Sequence, residues 1–186
     1  MEWILPGTVV AAKLEDAPHV EQQFRSMFMG GGIMLGQISA ITGLEAYDVQ
    51  NWVKRGFLPP PQGRRYSMRQ LCRILNINML RKVLPMEQIC GLLGFINGNL
   101  DDESDDMIDD SQLYFMFVRL AAHYRNMQNA AGRDESISME LAGYTEPVPG
   151  AKERVEQVLR VMLTAWASAQ LMAATQKMLG ELAEGS

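Results

Sequence analysis

Two cysteines, two histidines and no long apolar run withhold several kinds of chemistry from this 186-residue chain. Cys72 and Cys90 stand far apart and form no CxxC pair. That pattern suits neither a disulfide framework nor a zinc site. Both fall in helical patterns and are expected as buried thiols in a reducing cytosol. His19 and His123 are distant from one another, and neither sits in a catalytic motif. With no nucleophile motif, no phosphate loop and no carboxylates paired at a defined spacing, an enzyme is not expected. Gly30-Gly31-Gly32 lacks a following Gly-Lys-Ser/Thr and reads as a flexible joint. No stretch approaches the roughly 18 apolar residues of a membrane span. The opening MEWILPGTVVAA carries an acid at Glu2 and no basic lead-in, so it does not read as a secretory signal. The expected setting is cytoplasmic, with no metal, cofactor or membrane partner.

What is present is ordinary in bulk and uneven in distribution. Hydrophobic residues make up 47% and charged residues 21%, as in globular proteins generally. Fourteen methionines and few strand-forming runs point to a mostly helical core. The net charge of −5 hides a basic island. Residues 1–36 carry a net −2, residues 37–90 a net +5, and residues 91–186 a net −8. Charge of one sign concentrated in one segment is the electrostatic footprint of a nucleic-acid surface.

Along the chain, residues 1–15 read as an irregular or strand-like arm. A helix is expected from about Asp16 to Met29, with Pro18 tolerated in its first turn. A short helix follows over Leu35 to Ile41, then a turn at Gly43, then a second helix from about Glu45 to Arg55. Leu44, Val49, Trp52 and Val53 form the buried stripe of that second helix. Tyr47, Asp48, Gln50, Asn51 and Lys54 are left on the outer face. Pro59-Pro60-Pro61 is stiff and extended. Gln62-Gly63 makes a turn, and Arg64-Arg65-Tyr66 forms the return edge of a small wing. Ser67 and Gln70 have capping-box spacing for a helix that runs to about Lys82. Leu84-Pro85 restarts a helix through Leu93.

Seven acids lie between Asp101 and Asp110. The pattern lacks the central glycine and terminal glutamate of a calcium loop. It reads as a solvated loop whose last acids favour the positive end of the next helix. That helix, Ser111 to Gln128, is apolar on two sides: Leu113, Phe117, Leu120, Tyr124 and Met127 line one, Phe115, Val118 and Ala122 the other. Such a helix must be covered twice, by the N-terminal helix or by a second subunit. Residues 129–150 are polar and glycine- and proline-containing, and read as a linker with a short helical turn. Lys152 to about Leu182 is the longest helix, striped with Val155, Leu159, Met162, Trp166, Ala169, Met172 and Leu179. The organisation expected is an arm and helix (1–32), a winged helix-turn-helix (33–96), an acidic loop and helix (97–128), a linker (129–150) and a long C-terminal helix (151–186).

The order ITGL, VQNWVKRGFLPPP, RRYS, QLCRILNINMLRKVLPMEQICGLL resembles the DNA-binding domain of the MerR regulators over about residues 33–125. It is similar still more closely to the bacterial proteins grouped as domain-of-unknown-function family 1836. The resemblance implies an all-α fold with a MerR-like winged helix-turn-helix, in which a small two-stranded wing is the one β feature. It also implies a long C-terminal helix that pairs two subunits, the alternative being that this helix packs back on its own domain. It places Arg64 and Tyr66 at the DNA backbone and the face of Glu45 to Lys54 at the bases. The expected DNA-contacting set is Tyr47, Gln50, Asn51, Lys54, Arg64, Arg65, Tyr66 and Arg69. The chain departs from the MerR pattern at Glu45, Tyr47 and Gln50 and has a shorter wing. Glu45 and Asp48 would repel phosphates, yet they could accept hydrogen bonds from cytosine amino groups. The expected function is a homodimeric, sequence-specific regulator on double-stranded DNA, its small-molecule effector, if any, unspecified. The alternative is a protein-interaction module that keeps the shape without reading DNA.

Overall fold

The computed structural model describes residues 2–98, 100, 103–124 and 130–184. In chain order, β1 (Glu2–Ile4) and β2 (Ala11–Lys13) form an antiparallel hairpin, so the arm is a strand pair. A 3-10 turn over Leu14–His19 leads into α1 (Val20–Met27). The turn holds Pro18, which is why the regular helix begins later than expected. Next come β3 (Ile33–Met34), α2 (Leu35–Thr42), α3 (Ala46–Lys54) and β4 (Arg65–Tyr66). They are followed by α4 (Met68–Leu80), α5 (Met86–Gly94), α6 (Asp110–His123), α7 (Ala130–Glu140) and α8 (Ala151–Glu184). The fold is mainly α-helical, with two small two-stranded sheets among the described residues.

The core is built around α4, where every residue from Leu71 to Leu80 is buried. Ser67 starts this helix by accepting the Gln70 amide at 3.1 Å, while the Gln70 side chain accepts the Ser67 amide at 2.8 Å. This reciprocal cap satisfies two backbone donors at once. A helix buried all round needs partners on each side, and α6 and α8 supply them together with α2 and α5. The polar residues of α4 are used as ties. Asn78 donates to the Gly7 carbonyl at 2.8 Å and to the Thr42 carbonyl at 3.1 Å. One side chain thereby fixes both the N-terminal loop and the end of α2.

The double-sided helix α6 is covered within its own chain. Phe24 of α1 meets Phe115 edge-on at 5.6 Å, and Tyr114 and Phe115 meet at 5.3 Å. Phe117 packs against Trp166 of α8 at 6.4 Å. Large aromatic side chains buried this way each contribute about 1.5–3 kcal/mol. Tyr114 also donates to the Pro6 carbonyl at 2.9 Å. The stretch expected to extend this helix, Met127 included, lies outside the described residues.

Two expectations are corrected here. The segment read as a linker with a short turn carries a full helix, α7, followed by a 3-10 turn at Leu141–Gly143. Ile137 and Leu141 are fully buried, and Arg119 of α6 ties in Glu140 at 2.6 Å. Its glycines and polar composition concealed two anchoring apolar residues. The long helix α8 divides in two. Val155, Leu159 and Met162 are buried against the body, whereas every residue from Gln170 to Ala183 is exposed. Met172 and Leu179, expected in the apolar stripe, lie in that exposed half.

Candidate nucleic-acid interface

The geometry of the basic island starts at the turn between α2 and α3. The Thr42 hydroxyl donates to the Ile38 carbonyl at 2.7 Å and accepts the Leu44 amide at 3.1 Å. Gly43 ends α2 with φ of +70°, a left-handed value that glycine adopts without strain. The turn presents α3 with Val49 and Trp52 buried and Val53 half-buried. Tyr47, Gln50 and Lys54 are exposed on its outer side, with Asn51 and Asp48 half-buried at the margin. Tyr47 is 73% exposed, which is high for an aromatic ring with no partner.

Two side chains of α4 steer the segment that leaves α3. Arg73 donates to the Phe57 carbonyl at 3.0 Å, and Gln70 donates to the carbonyls of Pro59 and Pro60 at 2.9 and 3.0 Å. The proline tract is thus pinned to α4 before it enters the hairpin. Gln62 and Arg65 exchange two backbone hydrogen bonds, at 2.9 and 3.1 Å, around a two-residue turn. Gly63 and Arg64 both have positive φ, +53° and +66°, the pattern of a type I′ hairpin turn. Arg64 is the one non-glycine residue with positive φ among those described. β4 pairs antiparallel with β3, Tyr66 opposite Ile33 and Arg65 opposite Met34. The Arg65 guanidinium donates to the Gly32 carbonyl at 2.9 Å, which ties the hairpin to the triple glycine.

The eight residues singled out from the sequence separate into two groups. Tyr47, Gln50, Lys54, Arg64 and Arg65 are exposed, and Asn51 is half-exposed. Among the described residues no carboxylate pairs with Lys54, Arg64 or Arg65. Tyr66 and Arg69 are placed elsewhere. Tyr66 is 3% exposed, and burial pushes its phenol above the usual range. Its alternation on β4 sends it inward when Arg65 points out.

Arg69 is enclosed by acids. It bonds the Asp106 carboxylate and lies 3.7 Å from both Asp109 and Asp110. One turn further along α4, Arg73 is 4% exposed and lies 3.3 Å from Asp110, itself 2% exposed. The acids expected in a solvated loop therefore grip α4 instead. Asp109 also caps α6, accepting the Ser111 amide at 2.8 Å. Burial holds the Asp110 carboxyl above the usual range, offset in part by Arg73 and Arg69. Among the described residues no three His, Cys, Asp or Glu converge on a metal position. Asp101 and Asp102 lie outside the described residues.

The arginine–aspartate cluster escaped sequence reasoning. A signal existed: Arg73 sits inside the run that α4 buries on every side, and a buried guanidinium needs an anionic partner.

Comparison with known proteins gives the following. Residues 34–117 match the family model described as Domain of unknown function (DUF1836). That segment runs from β3 into α6, so it takes in the α3 face, the hairpin and both halves of the arginine–aspartate cluster. The chain is 29% identical over 116 residues to "Uncharacterized protein YkrK" of Bacillus subtilis (strain 168). The alignment covers 59% of this chain and 48% of the relative, so the chain spans about half the length of the curated protein it matches. No solved structure matches.

Proposed function

We propose that this chain is a sequence-specific DNA-binding transcriptional regulator that docks a MerR-like winged helix-turn-helix on double-stranded DNA. The observation that supports it is the pairing of an exposed polar helix face with an exposed cationic hairpin. On α3, Tyr47, Gln50 and Lys54 face solvent and Val49 and Trp52 face the core. The chain that follows carries Arg64 at a hairpin tip in a left-handed conformation. A non-glycine residue held there costs on the order of 1–2 kcal/mol, and local strain of this kind often sits at functional positions. In this reading Gln50 and Asn51 read base edges in the major groove. Lys54, Arg64 and Arg65 neutralise phosphates. Tyr66 positions the hairpin from within, and Arg69 holds the acidic segment.

The protein acts as a homodimer in this proposal, through the exposed half of α8. Leu171, Met178 and Leu182 fall at spacings of seven and four residues with Thr175 between, and all are exposed. That is a heptad-like seam suited to a second helix. Two-fold symmetry of the protein would then be mirrored in a palindromic site.

Glu45 and Asp48 favour a second reading, a partner-binding module that keeps the shape without DNA readout. Titration of the purified protein against random duplex DNA at low salt separates the two. Binding at micromolar concentration or tighter, with affinity falling as salt rises, supports the first. No binding at that concentration supports the second. Selection from a random DNA pool then sharpens the first reading. A palindromic consensus is expected, and Gln50→Ala or Asn51→Ala should shift the preferred sequence rather than weaken binding to every sequence.

A further inference from the structure

One large hydrophobic residue of α3 is left exposed, and it is Tyr47, at 73%. It is the second residue of the helix, so its ring stands on the first turn. Helical spacing puts Gln50 and Lys54 on the same side, three and seven residues further on. Val49 and Trp52 are buried on the opposite side, at 0% and 4%. They fix the roll of the helix and hold the Tyr47 ring away from the core.

Charge is unevenly spread along this face. Glu45 is exposed and Asp48 half-buried, each within two residues of Tyr47. The first cation of α3 is Lys54, its last residue, and Arg64 and Arg65 follow on the hairpin. Carboxylates repel phosphate and cations attract it. Phosphate contacts therefore belong to the Lys54 end and the hairpin, and the Tyr47 end is left for uncharged groups.

The uncharged groups of a major groove are base edges, which the first residues of a recognition helix meet. Those edges present hydrogen-bonding atoms and a single kind of apolar group, the 5-methyl of thymine. Gln50 and Asn51 bring amides suited to the hydrogen-bonding atoms. Tyr47 brings a broad apolar ring, a side chain favoured where a surface meets a partner.

We propose that Tyr47 is a specificity-determining residue that reads thymine, its ring covering the 5-methyl group in the major groove. This rests on the DNA docking proposed above and adds a base preference to it. Burying one methyl group against the ring is worth about fourfold in affinity.

The test starts from the duplex that the full chain selects from a random DNA pool. Each thymine of that duplex is replaced in turn by deoxyuridine, which removes the methyl group and keeps every hydrogen-bonding atom. At one thymine of each half-site, replacement should weaken the wild-type chain about fourfold. Tyr47→Ala should bind the thymine and deoxyuridine duplexes alike. Tyr47→Phe, which keeps the ring and deletes the hydroxyl, should retain the wild-type difference. Both substitutions fall on an exposed side chain, so the core is untouched. Binding that no deoxyuridine weakens overturns the proposal and leaves DNA docking standing. So does a sensitivity to deoxyuridine that persists in Tyr47→Ala. Equal losses for Tyr47→Phe and Tyr47→Ala on both duplexes would put the hydroxyl on a phosphate and overturn it as well. No binding to any duplex at micromolar concentration, or a selection without a consensus, ends this proposal together with the sequence-specific docking on which it rests.

Discussion

Four arginines lie between residues 64 and 73, and the fold treats them as two pairs. Arg64 and Arg65 stand on the hairpin, exposed and without a carboxylate among the described residues. Arg69 and Arg73 stand on α4, engaged by Asp106, Asp109 and Asp110. The same side-chain type therefore does two kinds of work within one basic island. A water-exposed guanidinium offers long-range charge that salt screens. A buried one offers structure, because its charge is already matched by anions that had to be desolvated along with it. Net charge counted over a segment merges the two, and part of the +5 over residues 37–90 is cancelled locally by acids that come later in the chain.

The sharpest way to test this difference is to remove the buried acid. Asp110→Ala leaves Arg73 with the Phe57 carbonyl but no facing carboxylate. Breaking a buried pair from one side costs about 3–5 kcal/mol, read from denaturant unfolding. Replacing both partners, Arg73→Met with Asp110→Leu, should cost less than Asp110→Ala alone. A loss below about 1 kcal/mol for Asp110→Ala would equate this pair with ordinary surface pairs and collapse the contrast.

Under the proposed DNA-binding role, the salt dependence of affinity gives the next largest separation. Arg64→Ala with Arg65→Ala should flatten the salt slope by about 1.8, at 0.9 per phosphate. Between 50 and 200 mM salt, that is roughly a tenfold difference in how steeply affinity falls. Arg69→Ala should leave the slope nearly unchanged, since its charge is committed to Asp106. A double hairpin variant with an unaltered slope would remove the hairpin from the binding mechanism. An Arg69→Ala slope as flat as the hairpin variant's would erase the division between the two pairs.

The helices of this region were legible because their signals are local. The expected Leu35 to Ile41 is observed as Leu35–Thr42, and Glu45 to Arg55 as Ala46–Lys54. The Ser67 and Gln70 cap forms as its spacing implied. Tyr66 turned inward because strand alternation, which depends on the turn register, decided its side. Arg69 was misplaced because its partner lies 37 residues away in sequence, and periodicity carries no information about partners at that range. The helix α7 was missed for a related reason. It carries few apolar residues, and its anchors Ile137 and Leu141 count only once the rest of the body covers them.

Smaller than either mutational effect is a pH dependence whose sign is unusual for an acid in an ion pair. Burial raises the Asp110 pKa above its ordinary value despite Arg73 and Arg69. The folded state then binds the proton more readily than the unfolded one, so the stability linked to this group is present below about pH 4. It is lost as pH rises through the folded value. Measured against Asp110→Asn, the wild-type protein should therefore lose ground as pH climbs from about 4. A wild-type advantage that grows over that range would mean that the arginines outweigh burial.

The smallest effect concerns the tip of the hairpin, and it separates strain from charge at a single residue. Arg64 holds φ of +66° next to Gly63 at +53°. Glycine occupies that region without the 1–2 kcal/mol cost borne by a residue with a Cβ, but it loses about 0.5–1 kcal/mol more backbone entropy on folding. The two terms leave Arg64→Gly neutral or more stable by up to about 1.5 kcal/mol, although a charged, exposed side chain has been deleted. DNA affinity should nevertheless fall, with one phosphate's worth of salt slope lost. If Arg64→Gly instead destabilised the fold, the side chain would be holding the hairpin together. Arg64 would then resemble Arg73, and the tip would no longer count as a surface kept for a partner.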